Sequence, residues 1–120
     1  HFHAGSEHTV DGKRHDLEMH TVHVASETLN GFGYAAMGII FSVNDSTIVL
    51  DEADQKVVDD FFDGLLFSSY GNVTVSNLGY GDLMMMVNTK DRWVYKGSVT
   101  TPPCATSVYW NVLRTIYPVK

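Results

Sequence analysis

Two histidines separated by a single residue, His1 and His3, open the chain, and a third lies in Glu18-Met19-His20-Thr21-Val22-His23-Val24. On an extended strand, side chains two apart leave the same face, so His1 and His3 project together. Neighbouring strands lie about 4.8 Å apart, close enough for His20 on an adjacent strand to join them. Three neutral imidazoles on a rigid sheet hold a tetrahedral zinc ion and leave its fourth position open to water, the pattern of catalytic zinc. Such an ion lowers the pKa of bound water to about 7, which yields hydroxide near neutral pH. Glu18 shares the face of His20, and a carboxylate there can accept the ligand's other N–H and fix its tautomer. The same His-x-His spacing also occurs on ordinary exposed strands, so spacing alone leaves both readings open.

The elements that must position these groups follow from periodicity. Residues 1–3 and Glu18–Val24 alternate as strands do, and Val10-Asp11-Gly12-Lys13-Arg14 between them has the glycine and charge of a turn. Gly33–Val43 contains the apolar run Ala35-Ala36-Met37-Gly38-Ile39-Ile40-Phe41, which predicts a central strand buried on both faces. Asp51-Glu52-Ala53-Asp54 suits a helix N-terminus. Val57, Val58, Phe61, Phe62, Leu65 and Leu66 then recur at helical spacing, predicting an amphipathic helix packed on the sheet. A strand is predicted near Leu83–Val87, with Met84-Met85-Met86 as core filler rather than a metal box. Trp93–Thr101 reads as extended, Pro102-Pro103 as a rigid turn, and Val108–Leu113 as a last strand.

Composition bounds the possibilities. At 120 residues, 44% apolar and 18% charged, the chain is one globular unit rather than a disordered or fibrous segment. A net charge of −6 with only eight scattered Lys and Arg argues against nucleic-acid binding, which needs a concentrated basic surface. No apolar run approaches the roughly 20 residues that span a bilayer. The single cysteine, Cys104, reads either as a small buried hydrophobe or as half of a disulfide to a cysteine outside this segment. The sequons Asn44-Asp45-Ser46 and Asn72-Val73-Thr74 lean toward an extracytosolic compartment, secreted, lumenal or surface-anchored.

Longer motifs are more specific than the spacing. His1-Phe2-His3, Gly5-Ser6-Glu7-His8-Thr9-Val10 and Glu18-Met19-His20-Thr21-Val22-His23 together resemble the zinc-site block of the α-carbonic anhydrases. Tyr95-Lys96-Gly97-Ser98-Val99-Thr100-Thr101-Pro102-Pro103-Cys104, followed by Trp110, resembles that family's other signature. The resemblance implies an α+β fold, a large twisted and mostly antiparallel central β-sheet with peripheral helices. Complete members of the family extend beyond both ends, so residues 1–120 are expected to be the central part of one such domain.

The resemblance also implies roles, position by position. His1, His3 and His20 match zinc ligands, and Glu18 stands behind His20. Thr100 matches a threonine that donates its proton to a buried glutamate, here Glu7. Its oxygen can then only accept, which orients zinc-bound hydroxide toward CO2. Val22, Ala36, Val99, Val108 and Trp110 match the apolar wall that receives CO2, with Thr101 as a polar residue beside it. The implied reaction is reversible hydration of CO2 to bicarbonate and a proton. His8 and His23 are expected to be buried structural histidines rather than the proton shuttle, and Cys104 matches a position that in extracytosolic members forms a disulfide.

Three departures bear on that expectation. Ala4 stands where the family has Trp, with Gly5 directly after it in place of a longer loop; Val24 replaces another Trp, and Ala36 a valine. Loss of large aromatics near a metal site opens space and should lower zinc affinity. The rival reading is a catalytically weak or silent relative acting as a structural or binding module within a larger assembly. Silent relatives lose zinc histidines, whereas all three remain here. An unrelated histidine-rich zinc protein such as a cupin leaves the Thr-Thr-Pro-Pro block unexplained.

Overall fold

A computed structural model describes residues 1–29, 31–67 and 74–120. The element order is β1 (Phe2–Ala4), β2 (Thr9–Val10), β3 (Lys13–Arg14), β4 (Leu17–Leu29), β5 (Phe32–Ser42), α1 (Glu52–Gly64), α2 (Tyr80–Met86), β6 (Arg92–Ser98) and β7 (Thr106–Pro118). Five strands form one sheet in the order β1-β4-β5-β7-β6, and β2 and β3 form a separate hairpin. Three pairings in the large sheet are antiparallel, and β5–β7 is parallel. A parallel pair needs a long crossover; here it runs through α1, α2 and β6. The architecture is the expected mostly antiparallel sheet with peripheral helices.

Each element has a local cause. Asp11 and Gly12 both have positive φ, 51° and 76°, which makes the tight two-residue turn between β2 and β3. Helix α1 starts where the Asp51 side chain accepts the Asp54 backbone N–H at 2.8 Å, with Glu52 and Asp54 in the first turn. It buries Val58 and Phe61. It ends at Gly64, short of Leu66, whose φ of 53° is incompatible with continuing the helix.

The core has two parts, one on each face of the sheet. Met19, Ile39, Phe41, Leu113 and Tyr117 pack against Val58 and Phe61 of α1 and Leu83 of α2. On the other face, Ala36, Ile40, Val108, Trp110, Val112 and Ile116 form a second cluster, with Val10 and Val99 against it. Strand β5 is therefore central, but burial is complete only toward its end: residues 32–35 are half-buried or exposed, and Ile39–Ser42 are buried.

The structure corrects several expectations. The segment around Leu83–Val87 is helix α2, not a strand. Leu83 and Val87 are buried four residues apart, Met85 between them is 88% exposed, and the Val87 N–H donates to the Leu83 carbonyl, all with helical period. The extended run from Trp93 stops at Ser98, and Thr100 and Thr101 lie in the bend beyond it. Strand β7 continues past Leu113 to Pro118. His23 is exposed rather than buried, because it points away from His20 and Val22 on a stretch, Val22–Glu27, that is exposed throughout. His8 is only half-buried. Of the two sequons, Asn44 is exposed; Asn72-Val73 lies outside the described residues. Cys104 is exposed and unpaired rather than a buried hydrophobe.

Candidate metal centre

Register brings the three histidines together. Strand β1 pairs with β4 so that His3 lies opposite Glu18 and Phe2 opposite Met19, and the His20 N–H donates to the His1 carbonyl at 2.9 Å. The imidazole centroids lie 4.9 Å (His1–His3), 5.1 Å (His1–His20) and 4.7 Å (His3–His20) apart. One nitrogen from each ring falls within 4.8 Å of the others.

Two observations test whether these residues fit a metal ion. His3 Nε2 is buried without a hydrogen-bond partner, an arrangement that is costly unless something binds there. His1 Nε2 and His20 Nδ1 face each other at 3.2 Å. Zinc–nitrogen bonds of about 2.0–2.1 Å at tetrahedral angles require a ligand separation of about 3.3 Å. The donors fit a zinc-like ion held by His1, His3 and His20.

Glu18 organises this centre from beneath. It is fully buried and accepts the His20 Nε2–H at 2.7 Å, the His8 Nδ1–H at 2.6 Å and the His8 backbone N–H at 2.8 Å. Burial alone pushes its pKa up, but the hydrogen bonds from His20 and His8 together outweigh burial and hold it well below the ordinary carboxylate range. An ionised carboxylate only accepts, so His20 carries its proton on Nε2 and presents the Nδ1 lone pair to the other histidines. Gly38 on β5, paired with His20, leaves the room: a Cβ there would sit 2.8 Å from Glu18 Oε1.

Beside the histidines lies a cavity of about 440 Å³, lined by His1, His3, His20, Val22, Tyr34, Ala36, Val99, Thr100, Thr101, Val108 and Trp110. The sheet register explains the grouping. Val22 pairs with Ala36 and Ala36 with Trp110, while Tyr34 pairs with Val108, so these residues share one face across three strands. Trp110 is fixed by its indole N–H, which donates to the Ser98 carbonyl at 2.9 Å, and its ring meets His20 edge-on with centroids 4.8 Å apart.

One expected contact is not formed. The hydroxyl of Thr100, exposed in the bend after β6, makes no hydrogen bond to Glu7. Glu7 Oε2 instead lies 3.4 Å from His3 Nε2 and 3.9 Å from His20 Nδ1, buried and without a hydrogen-bond partner.

Sequence reasoning missed three participants. Tyr34 adds a phenol to the cavity wall, signalled only by its alternation with Ala36. Gly38 reads in the sequence as a small residue in an apolar strand, and only the position of Glu18 shows why it is glycine. Tyr95, within the second motif but without an assigned role, hydrogen-bonds His8 at 2.6 Å; burial, then the charges of Glu18 and Glu7, raise its pKa.

Comparison with known proteins identifies the family. The model of the eukaryotic-type carbonic anhydrase family matches residues 1–120. Alpha carbonic anhydrase 4 of Arabidopsis thaliana is 31% identical over 121 residues, covering 100% of this chain and 40% of the relative. Carbonic anhydrase 7 of Homo sapiens is 33% identical, covering 95% of this chain and 46% of the relative. Among solved structures, the alpha-carbonic anhydrase of Thermovibrio ammonificans, in complex with the inhibitor sulfanilamide, superposes with a TM-score of 0.65 at 26% identity, covering 100% of this chain and 47% of that one. The chain thus spans less than half the length of these relatives. With the family model matching from the first residue to the last, the chain belongs to the eukaryotic-type carbonic anhydrases.

Proposed function

We propose that this chain carries the catalytic centre of a zinc hydro-lyase that interconverts CO2 and bicarbonate. The observation that carries the reading is the convergence of three imidazole donors, one of them buried and partnerless, on an apolar cavity. Zinc bound by His1, His3 and His20 would supply a Lewis acid strong enough to make water lose a proton near neutral pH (pKa about 7).

The chain's own residues do the rest. Glu18 holds His20 with Nδ1 toward the donors. Val22, Ala36, Val99, Val108 and Trp110 offer an apolar wall to a substrate that has no dipole and needs no strong hydrogen bond, and Thr101 gives that pocket a polar edge. Thr100 and Glu7 orient the attacking oxygen: once the Thr100 proton is committed to Glu7, its oxygen can only accept. That pairing is not formed in the arrangement described above, so the bend carrying Thr100 or the Glu7 carboxylate must move to make it. We further propose an extracytosolic setting, in which exposed Asn44 is open to glycosylation and exposed Cys104 to a disulfide with a cysteine outside these residues.

Stopped-flow CO2 hydration by the full chain, with and without zinc chelation and a sulfonamide, tests the reading. Stoichiometric zinc and inhibitable hydration are expected. Their joint absence would sink it and favour the silent module within a larger assembly. Thr100→Ala should lower turnover while zinc stays bound, and unchanged turnover would remove Thr100 and Glu7 from the mechanism.

A further inference from the structure

We propose that Glu7 is an exchangeable fourth ligand of the metal centre. Its carboxylate closes the centre in the arrangement observed and must be released before water or an added anion takes that position. The inference rests on His1, His3 and His20 holding the metal, as proposed above, and it gives Glu7 a second role beside its pairing with Thr100.

Two buried atoms at the centre lack hydrogen-bond partners, and they lie side by side. Glu7 Oε2 is 3.4 Å from His3 Nε2, and neither makes a hydrogen bond. The same oxygen is 3.9 Å from His20 Nδ1, which is a lone pair because the His20 proton is on Nε2, toward Glu18. A carboxylate oxygen and an imidazole lone pair are both acceptors, and acceptors held this close repel unless a cation joins them. Glutamate oxygens bind zinc at about 2.0–2.2 Å, much as imidazole nitrogens do, so two such donors on one tetrahedral ion stand about 3.3–3.5 Å apart. The His3 separation matches that span, and the His20 separation exceeds it by about half an ångström.

The chain delivers Glu7 to this place by a short path. Gly5, with a φ of 75°, turns the backbone directly after β1, and only three residues separate His3 from Glu7. Both neighbours of Glu7 are pinned. Ser6 is fully buried; its N–H donates to the His15 carbonyl at 2.8 Å, and its hydroxyl donates to the His8 carbonyl at 2.7 Å and accepts the His15 N–H at 2.9 Å. The His8 N–H donates to Glu18 Oε2 at 2.8 Å. With the backbone fixed on each side, the Glu7 carboxylate turns back toward the histidine the chain has just left. Four protein ligands make the closed pattern of structural zinc, and three with an open position make the catalytic one. One carboxylate therefore selects between them: on the metal it closes the centre, and on Thr100 it leaves the centre open.

The test loads the full chain with cobalt(II), whose visible absorption reports a change of ligand, and titrates azide into the parent, Glu7→Gln and Glu7→Asp. Zinc affinity is measured alongside by competition with a chromophoric chelator. If Glu7 closes the centre in roughly nine molecules of ten, azide binds the parent about tenfold more weakly than it binds an open centre. Both variants should therefore bind azide about tenfold more tightly, and zinc about tenfold more weakly, because closure holds the metal by the same factor by which it excludes the anion. Glu7→Asp keeps the charge but withdraws the oxygens by one methylene, so it carries the test alone if Glu7→Gln fails to fold. A residue that only packs the turn would lower zinc affinity without raising azide affinity. A residue that acts only by its charge would raise azide affinity in Glu7→Gln and not in Glu7→Asp. Either pattern, or no change in azide affinity, would overturn the ligation by Glu7 alone. A parent that binds neither zinc nor cobalt would overturn both this inference and the reading on which it rests.

Discussion

The two faces of the five-stranded sheet are packed by different rules, and β5 shows both at once. Toward the helices it directs Met37, Ile39 and Phe41, which fill the space against Val58, Phe61, Leu83 and Tyr117. Toward the metal centre it directs Ala36, Gly38 and Ile40, and at two of those three positions it has almost no side chain. The helix face stabilises the fold by removing large apolar side chains from water. The site face leaves room, and polar groups occupy it: Glu18, with His8 and His20 both hydrogen-bonded to it. A strand that reads as uniformly apolar is thus divided by parity into a filled side and a carved side.

The strongest way to break the helix face is Phe61→Ala, which removes a ring buried to 1%. It should cost about 3–5 kcal/mol of unfolding free energy, measured by denaturant titration, with the zinc affinity of the folded fraction unchanged. A large loss of affinity would mean that the two faces are not independent. Gly38→Ala inverts the experiment by adding one methyl group to the carved side. Its loss of about 10–100-fold in zinc affinity corresponds to about 1.4–2.7 kcal/mol, and its global stability should fall less than that of Phe61→Ala.

Smaller effects refine the comparison on the helix side. Asp51→Ala deletes the α1 cap and should cost about 1 kcal/mol, read in the same titration without any change at the metal centre. The smallest expected effect is confined to acid. The Val43 backbone N–H and the Ser42 hydroxyl hold exposed Asp16 below its ordinary pKa. A depressed folded-state pKa contributes stability above the unfolded value of about 3.9 and loses it as pH falls through the folded value. Asp16→Asn should flatten the decline in stability below about pH 4, and equal slopes in the two proteins would show that these hydrogen bonds add no linkage.

How much was legible depended on whether the signal was local. Helix α1 was readable because its cap, acidic first turn and apolar spacing all agree. Helix α2 was not: Leu83-Met84-Met85-Met86-Val87 is apolar at every position, so no period is visible until burial selects Leu83 and Val87 and leaves Met85 in water. The exposure of His23 was equally hidden, since alternation tells which side a residue takes and not what covers that side. At the site, the cavity wall was legible only through the motifs. Thr100 and Glu7, paired on the same grounds, make no hydrogen bond in this arrangement: Thr100 is exposed in the bend after β6, and Glu7 Oε2 lies beside His3 and His20.

By itself, the sequence determined which donors exist and which share a face: His1 with His3, and Glu18 with His20 and Val22, because strand parity is a property of neighbouring residues. It also carried the motifs that mark the family. Only the tertiary structure decided that β1 lies beside β4, that Gly38 yields its volume to a buried carboxylate, and that Tyr95 reaches His8 across 87 residues of chain. Hydrogen bonds between distant strands leave no local pattern, so the hydrogen-bond partners of Glu18 and His8 become visible only when the sheet is assembled.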